Sequence, residues 1–383
     1  MRRGWRGRCF ESVDSGQFSP SGGRTLERRA RVIALYLPQF HPIPENDLWW
    51  GKGFTEWTNT AKAKPLFFGH RQPNLPADLG FYDLRVPDVR EEQARLAQCY
   101  GVEAFCYYYY WFNGKRLLER PLDDMIRSGV PDFPFCLCWA NGSWTGIWHG
   151  AANRILQEQT YPGREDDERH FHEVLLPALS DRRYLKIDGK PLVAVHAPQE
   201  LPHGRALTDT WRRLALAAGI GEIHLLGFGP QGYWRPAEQG FDSGCSANLP
   251  GLRPWVPWSR PVRKLRFKVQ HWLRRPTIYR YREESLRLLD AQLHADFFPV
   301  VIPNWDNTPR SGRKGRVLHG AHPDLFGAMM RAAIAKVAHR TPGQRLIILK
   351  SWNEWAEGNY VEPDLEFGHG WLEAIADAVL KDG

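Results

Sequence analysis

The chain has 383 residues, 43% of them hydrophobic and 25% charged, which excludes global disorder and suffices for the core of one large domain. Its formal charge of +8 makes no case for nucleic acid, because ten Lys or Arg and no Asp or Glu fall between Arg253 and Arg282, leaving −2 elsewhere. No run approaches the roughly 18 apolar residues of a spanning helix, and the basic N-terminus lacks the apolar stretch of a signal peptide.

In chain order, residues 1 to 30 read as a flexible tail. Val32 to Leu37 is the first strand, and Val86 to Tyr100 an amphipathic helix ending before Gly101. The strand Val102 to Tyr108, the helix Leu117 to Ser128 and the strand Phe133 to Trp139 follow. Next come the helix Glu165 to Leu179, the strand Leu192 to Val195, the helix Leu207 to Ala218 and the strand Ile223 to Gly227. Phe298 to Ile302, the helix Pro323 to His339, the strand Leu346 to Leu349 and the helix Trp371 to Leu380 complete the series. That gives seven strands, with an eighth candidate near Gly240 to Ser243. Strands alternating with helices predict an α/β fold, a (β/α)8 TIM barrel over residues 31–383 with a basic helical insertion near 253–287. An open doubly wound sheet is the alternative, but no G-x-G-x-x-G or P-loop follows any strand, so no nucleotide cofactor, and no cofactor of any kind, is expected.

The six cysteines show no metal-ligand spacing, and Cys106, Cys136 and Cys138 sit in apolar runs where free Cys acts as a small hydrophobe. This points to a reduced, cytoplasmic protein.

Several strands end in polar, aromatic segments. After Leu37 come His41, Trp49, Glu56 and Trp57; Tyr109 lies in YYYYWF; Trp139 leads into Asn141; His196 follows Val195; and Asn304, Trp305 and Asp306 follow Ile302. In a barrel these loops meet at one rim. Tryptophan beside Asn, Asp and Glu suits a sugar, since an indole stacks on the C–H face of the ring while its neighbours bond the hydroxyls. Each of these residues is equally well explained singly as core or as a solvated turn; the convergence carries the case.

The segment Arg345 to Pro363, RLIILKSWNEWAEGNYVEP, is the most informative. A buried strand ends in Asn353 and Trp355 with two acids three positions apart, Glu354 and Glu357. Glycosidic chemistry needs one acid that holds a proton and one that stays charged. No H-E-x-x-H and no regular His spacing supports a metal, and no G-x-S-x-G supports a Ser nucleophile.

RVIALYLPQFHPIPENDLWWGKGFTEWTN, KAKPLFFGHRQPNLPADLGFYDLR, YGVEAFCYYYYWFNGKRLLERPLDDM, DFPFCLCWAN, PNWDNTPR and LKSWNEWAEGNYVEPD together resemble the WbsX-type glycosyltransferase-like family, which is related to glycoside hydrolase family 99 with its endo-acting α-mannosidases. The resemblance runs from about Arg31 to Leu372. It implies a barrel acting on α-linked glycans, with mannose among the candidate sugars, in bacterial cell-surface polysaccharide metabolism. It also implies that Glu354 deprotonates the sugar 2-hydroxyl to form a 1,2-anhydro intermediate with overall retention, while Glu357 protonates the leaving oxygen and later activates water. Relatives usually read WANENWTRRWDG where this chain has Gly142, Gly146, Ile147 and His149 in place of Glu, two Arg and Asp. Those lost charges bear on specificity.

The leading expectation is therefore a glycoside hydrolase or transglycosylase acting on a polysaccharide or lipid-linked oligosaccharide. A glycosyltransferase of polysaccharide biosynthesis and a non-catalytic glycan-binding protein are the alternatives. Val262, Leu265, Val269, Trp272 and Leu273 share one helical face within the basic stretch. That pattern fits peripheral contact of residues 260–282 with an anionic inner-membrane surface.

Overall fold

The structure, a computed structural model, describes residues 28–146, 151–246, 275–290 and 292–380. Eight parallel strands form the barrel: β1 Arg31–Tyr36, β2 Ala104–Phe112, β3 Phe135–Trp139, β4 Lys190–Val195, β5 His224–Phe228, β6 Ser243–Cys245, β7 in two pieces, Phe297–Phe298 and Val300–Val301, and β8 Leu346–Leu349. Their spatial order follows the chain, and β8 pairs with β1. β7 is split at Pro299, which has no N–H to give a ladder. Phe297–Phe298 pairs with β6 and Val300–Val301 with β8, which closes the ring. The eighth strand is β6, only three residues long, next to the expected position. The strands are almost wholly buried because helices cover the outside and side chains fill the inside.

Alternation along each strand sets the site. The registers align Leu35 with Cys106 and Cys136, Tyr108 with Cys138, and Cys138 with Ala194. This set points into the barrel, whereas Tyr36, Tyr107, Tyr109, Trp111 and Trp139 take the other parity: Tyr36 donates to Gln93 of the helix Pro87–Cys99 and packs on Tyr107, while Tyr109, Trp111 and Trp139 gather on His170. Cys106, Cys136, Cys138 and Cys245 are buried free thiols, as is usual for cysteine acting as a small hydrophobe.

β2 runs four residues beyond the sequence expectation. It turns back through Asn113 and Gly114, both at positive φ, into Lys115–Leu117. An Asn-Gly pair with both residues left-handed matches the twist of a two-residue hairpin. The YYYYWF segment is thus strand rather than loop.

Arg28 and Arg29, within the expected tail, bridge to the C-terminal end, where the Arg29 N–H donates to Val379 O. Residues 1–27 lie outside the described residues, as does 247–274, which holds residues 260–274 of the expected membrane-facing segment 260–282. The described part of the insertion adds Thr277–Arg280, paired with Arg316–His319, and the helix Tyr281–Asp290. No helix among the described residues is long and apolar enough to cross a membrane.

Candidate active site

The chain beyond β8 folds back as a small hairpin, Asn353–Glu354 against Asn359–Tyr360, around a single 3-10 turn at Trp355–Glu357. In 3-10 geometry side chains at i and i+3 eclipse, so Glu354 and Glu357 project to the same side. Gly358 makes the turn feasible. It sits at φ 53°, and a Cβ there would lie 2.9 Å from the backbone of Asp306. The Asp306 N–H donates to Glu357 O at 2.7 Å, fixing this turn to the loop after β7.

Both acids line a cleft of about 420 Å³ at the carboxyl ends of the strands, a size that suits a small ligand. Trp50, Phe54, Tyr108, Tyr110, Trp144 and Trp305 form its aromatic walls. Burial, and then the neighbouring Glu357 carboxyl, push the Glu354 carboxyl up to about 8, against the pull of Lys350 and Arg310. Glu357 instead accepts from Arg310 Nη1 at 2.6 Å. The same guanidinium donates through Nε, at 3.0 Å, and Nη2 to Glu56, whose own carboxyl is raised by burial. Burial works against the Arg310 charge, but Glu56, Glu357 and Glu354 outweigh it and hold its pKa above the usual value. Burial, and then Lys350, lower His196 to about 4, so it is neutral at physiological pH. Lys350 occupies the inward position just past β8, with Nζ 4.9 Å from the Trp305 ring centroid.

Of the residues expected at the site, Glu354, Glu357, Glu56, His196 and Trp305 line this cleft together. The others lie elsewhere, for reasons visible in the packing. Tyr109 and Trp139 occupy outward strand positions and pack on His170 beneath the helices. Trp57 sits between Phe40 and Trp355 and donates to Tyr82 O, while Trp355 stacks on Tyr360 and donates to Glu362. Trp49 supports Trp144 edge-on from behind. Buried His41, lowered to about 4 by burial with Asp83 opposing, lies near Asp83 and Arg85 instead of the cleft.

Three asparagines serve the backbone. Asn353 accepts from Leu37 N and donates to Leu37 O, sewing β8 to β1. Asn141 does the same with Ala197 beyond β3 and β4. Asn304 accepts from Tyr360 N. Asp306 accepts from His70, Gln72 and Thr308, anchoring the helical turn Thr308–Ser311 that carries Arg310.

The family model "Glycosyltransferase WbsX" matches residues 32–375. The chain belongs to the WbsX glycosyltransferase family. Two relatives from Xanthomonas campestris pv. campestris strains, each described as "Uncharacterized protein WxcX", are 39% and 40% identical over 360 residues. The match covers 92% of this chain, which spans about half the length of those relatives. Among solved structures, a "Glycoside hydrolase-like protein" superposes with a TM-score of 0.58 at 16% identity, covering 96% of this chain and 99% of that one, a likeness of fold. The endo-alpha-mannosidase of glycoside hydrolase family 99 from Bacteroides thetaiotaomicron gives 0.48 at 15% identity, covering 91% and 96%.

Sequence reasoning missed Tyr108, Tyr110, Trp144, Arg310 and Lys350 in this WbsX-family cleft. The signals were present: alternate members of the tyrosine run, the Arg closing PNWDNTPR, and the Lys directly after β8. Of the substituted loop, Gly142 lines the cleft, and a Cβ there would meet only Glu200 Oε2, at 3.8 Å. Ile147 and His149 lie outside the described residues.

Proposed function

We propose that this cleft breaks or transfers an α-linked glycosidic bond, with Glu354 and Glu357 as its acid–base pair, on a polysaccharide or lipid-linked oligosaccharide of bacterial surface-glycan metabolism. One observation carries the reading: two carboxyls on one side of a turn, at the barrel's carboxyl end, one proton-holding and one ion-paired, in an aromatic cleft. The α-linkage, mannose as a candidate sugar, and the retaining route rest on the motif resemblance. A cytoplasmic site of action, with access to lipid-linked precursors at the inner membrane, is part of this proposal and fits the buried free thiols Cys106, Cys136, Cys138 and Cys245.

The pair works with one proton between its two carboxyls. At rest the proton sits on Glu354. A substrate 2-hydroxyl donating to Glu354 favours its charged form, and a glycosidic oxygen accepting from Glu357 favours the protonated form there. The proton thus passes from Glu354 to Glu357 as substrate seats. Glu354 then takes the 2-hydroxyl proton while O2 closes on C1, and Glu357 gives its proton to the departing oxygen. Water, deprotonated by Glu357, opens the anhydro ring, and Glu354 returns its proton to O2. An acceptor hydroxyl in place of water turns hydrolysis into transfer.

The altered loop supports a second reading. Gly142 and Gly146 stand where relatives carry Glu and Arg, which suits a cleft that binds glycan without turnover. Incubation with a panel of α-linked bacterial oligosaccharides, read by mass spectrometry, separates the two. Shortened or extended products from the wild type, absent from Glu354→Gln and Glu357→Gln, support the enzyme. Binding with no product from any member of the panel overturns it in favour of the binding protein.

A further inference from the structure

We propose that a second cavity beside Trp305 is a further saccharide subsite, holding one neutral sugar unit of a chain whose neighbouring part lies at the acid pair. The proposal rests on the glycan reading above and adds a substrate class to it: a neutral oligosaccharide or polysaccharide long enough to reach past Trp305.

The second cavity, of about 260 Å³, lies between the segments that follow β1, β7 and β8, so it opens at the same end of the barrel as the acid pair. The two cavities share a wall. Trp305 lines both, and the turn after β8 gives successive residues to each, Glu357 to the first and Gly358 to the second. A chain lying over Trp305 would place one unit on either side of it. Farther on, Arg71, Asn74, Tyr360 and Glu366 also line a third cavity of about 240 Å³, which prolongs the groove.

The walls carry the chemistry of a sugar site. Arg71 Nη1 meets Glu366 Oε1 at 2.8 Å, and 56% and 40% of the two side chains are exposed, so both heads are open to a ligand. A guanidinium beside a carboxylate sets donors next to acceptors, which adjacent sugar hydroxyls can complete. Their charges offset each other, which favours a neutral unit over a uronate or a phosphate. Asn74 adds an amide and His319 an imidazole. Burial first, then His70 and Arg71, lower His319, so it is neutral near pH 7 and offers one donor and one acceptor. Flat apolar surface comes from Trp305, Tyr360 and Phe367, whose ring centroid lies 5.3 Å from Arg71 Cζ. Phe68, next to Gly69 at the cavity edge, is fully exposed. An aromatic ring left in water beside a polar groove suits the C–H face of a sugar.

The groove is also held in shape. Asp364 accepts from Tyr360 OH, Trp371 Nε1 and the N–H groups of Glu366 and Phe367, setting the turn that carries those two residues. Leu365 N donates to Leu75 O and Ala77 N to Pro363 O, which ties that turn to the segment of Arg71 and Asn74. On the other side, His70 and Gln72 bond to Asp306, the residue after Trp305. Walls fixed before the ligand arrives lose little freedom when it binds.

Calorimetry with neutral α-linked hexose oligosaccharides of two to eight units tests this, on protein silenced by Glu354→Gln and Glu357→Gln so that no probe is consumed. Affinity should rise by about tenfold at the length that first reaches the second cavity, the return of one ring contact and one or two hydrogen bonds. Phe68→Ala and Glu366→Gln, each added to the silenced protein, should remove most of that gain. Phe68→Ala changes a fully exposed side chain, so the fold survives it. A uronate-bearing chain of the same length should gain less. No binding at any length, affinity flat with length, a gain untouched by both variants, or a gain confined to the uronate chain overturns the proposal. The same probes given to the wild type separate this from the catalytic reading. A length-dependent gain without products counts against catalysis and leaves the subsite standing, whereas products with affinity flat in length do the reverse.

Discussion

Glu354 and Glu362 lie eight residues apart on the same segment beyond β8, and burial is the first cause that raises both carboxyls, to about 8 and about 7. Their surroundings differ. Glu362 is enclosed by neutral donors, accepting from Trp355 Nε1, Gln93 Nε2 and Tyr82 OH. Glu354 faces a second acid and an open cleft. The first arrangement satisfies a buried acid and locks the Trp355 side of the hairpin to the barrel wall. The second sets it against another acid at an open cleft, with a proton to exchange, which a functional site requires and a packing site avoids.

The largest expected effects fall on the packed side. Glu362→Ala strands three buried donors and should cost about 3–6 kcal/mol of unfolding free energy in denaturant titration. Trp139→Ala, opening a cavity under the helices, should cost about 3–5 kcal/mol. A loss below about 1 kcal/mol in either would blur the contrast.

On the open side the sign reverses. Glu354 holds its proton to about pH 8 when folded and loses it near 4.5 when unfolded. The folded state therefore binds the extra proton between those values, and stability falls as pH rises through that window. Glu354→Gln should be stabilising by about 2–4 kcal/mol at pH 9 and close to neutral at pH 4. Thermal unfolding at the two pH values checks this, and equal effects at both would contradict the raised carboxyl. By the same sign, turnover that needs one proton on the pair should fall as pH passes about 8.

Smaller effects distinguish wall from support. Trp305→Ala should raise KM for a confirmed glycan by about tenfold with little change in unfolding, whereas Trp57→Ala should do the opposite. The smallest effect on the site itself belongs to the basic stretch 260–282. Vesicle co-sedimentation should show attachment to anionic but not neutral liposomes, weakening with salt, with turnover on a water-soluble substrate unaltered. No binding at low salt removes the membrane contact.

The barrel was legible because seven strands announce themselves as apolar runs between amphipathic helices, and even three-residue β6 left a trace near Gly240. The acid pair was legible because three-residue spacing at a strand end survives translation into a 3-10 turn. The aromatic wall was not. Composition identifies tryptophans near a rim, but only register tells inward from outward, and a shift of one residue exchanges the faces. Tyr109 and Trp139 fell on the outward parity, Tyr108 and His196 on the inward. Likewise Asn141, Asn304 and Asn353, amides suited to sugar hydroxyls, are equally suited to orphan backbone groups at strand ends, where the structure places them. Arg310 could not be tied to Glu357 without knowing that the loops after β7 and β8 meet at Gly358.

The most direct test of the account compares two substrates with the same sugar, one carrying its natural leaving group and one an activated aryl group that departs without protonation. For Glu357→Gln the account predicts a loss of about 10²–10⁴-fold in kcat/KM on the natural substrate and little in kcat/KM on the aryl one, since kcat/KM ends at ring closure and leaves out the later water step that Glu357 also serves. For Glu354→Gln it predicts loss on both. Equal losses on both substrates for Glu357→Gln, or an aryl substrate spared by Glu354→Gln instead, would contradict it.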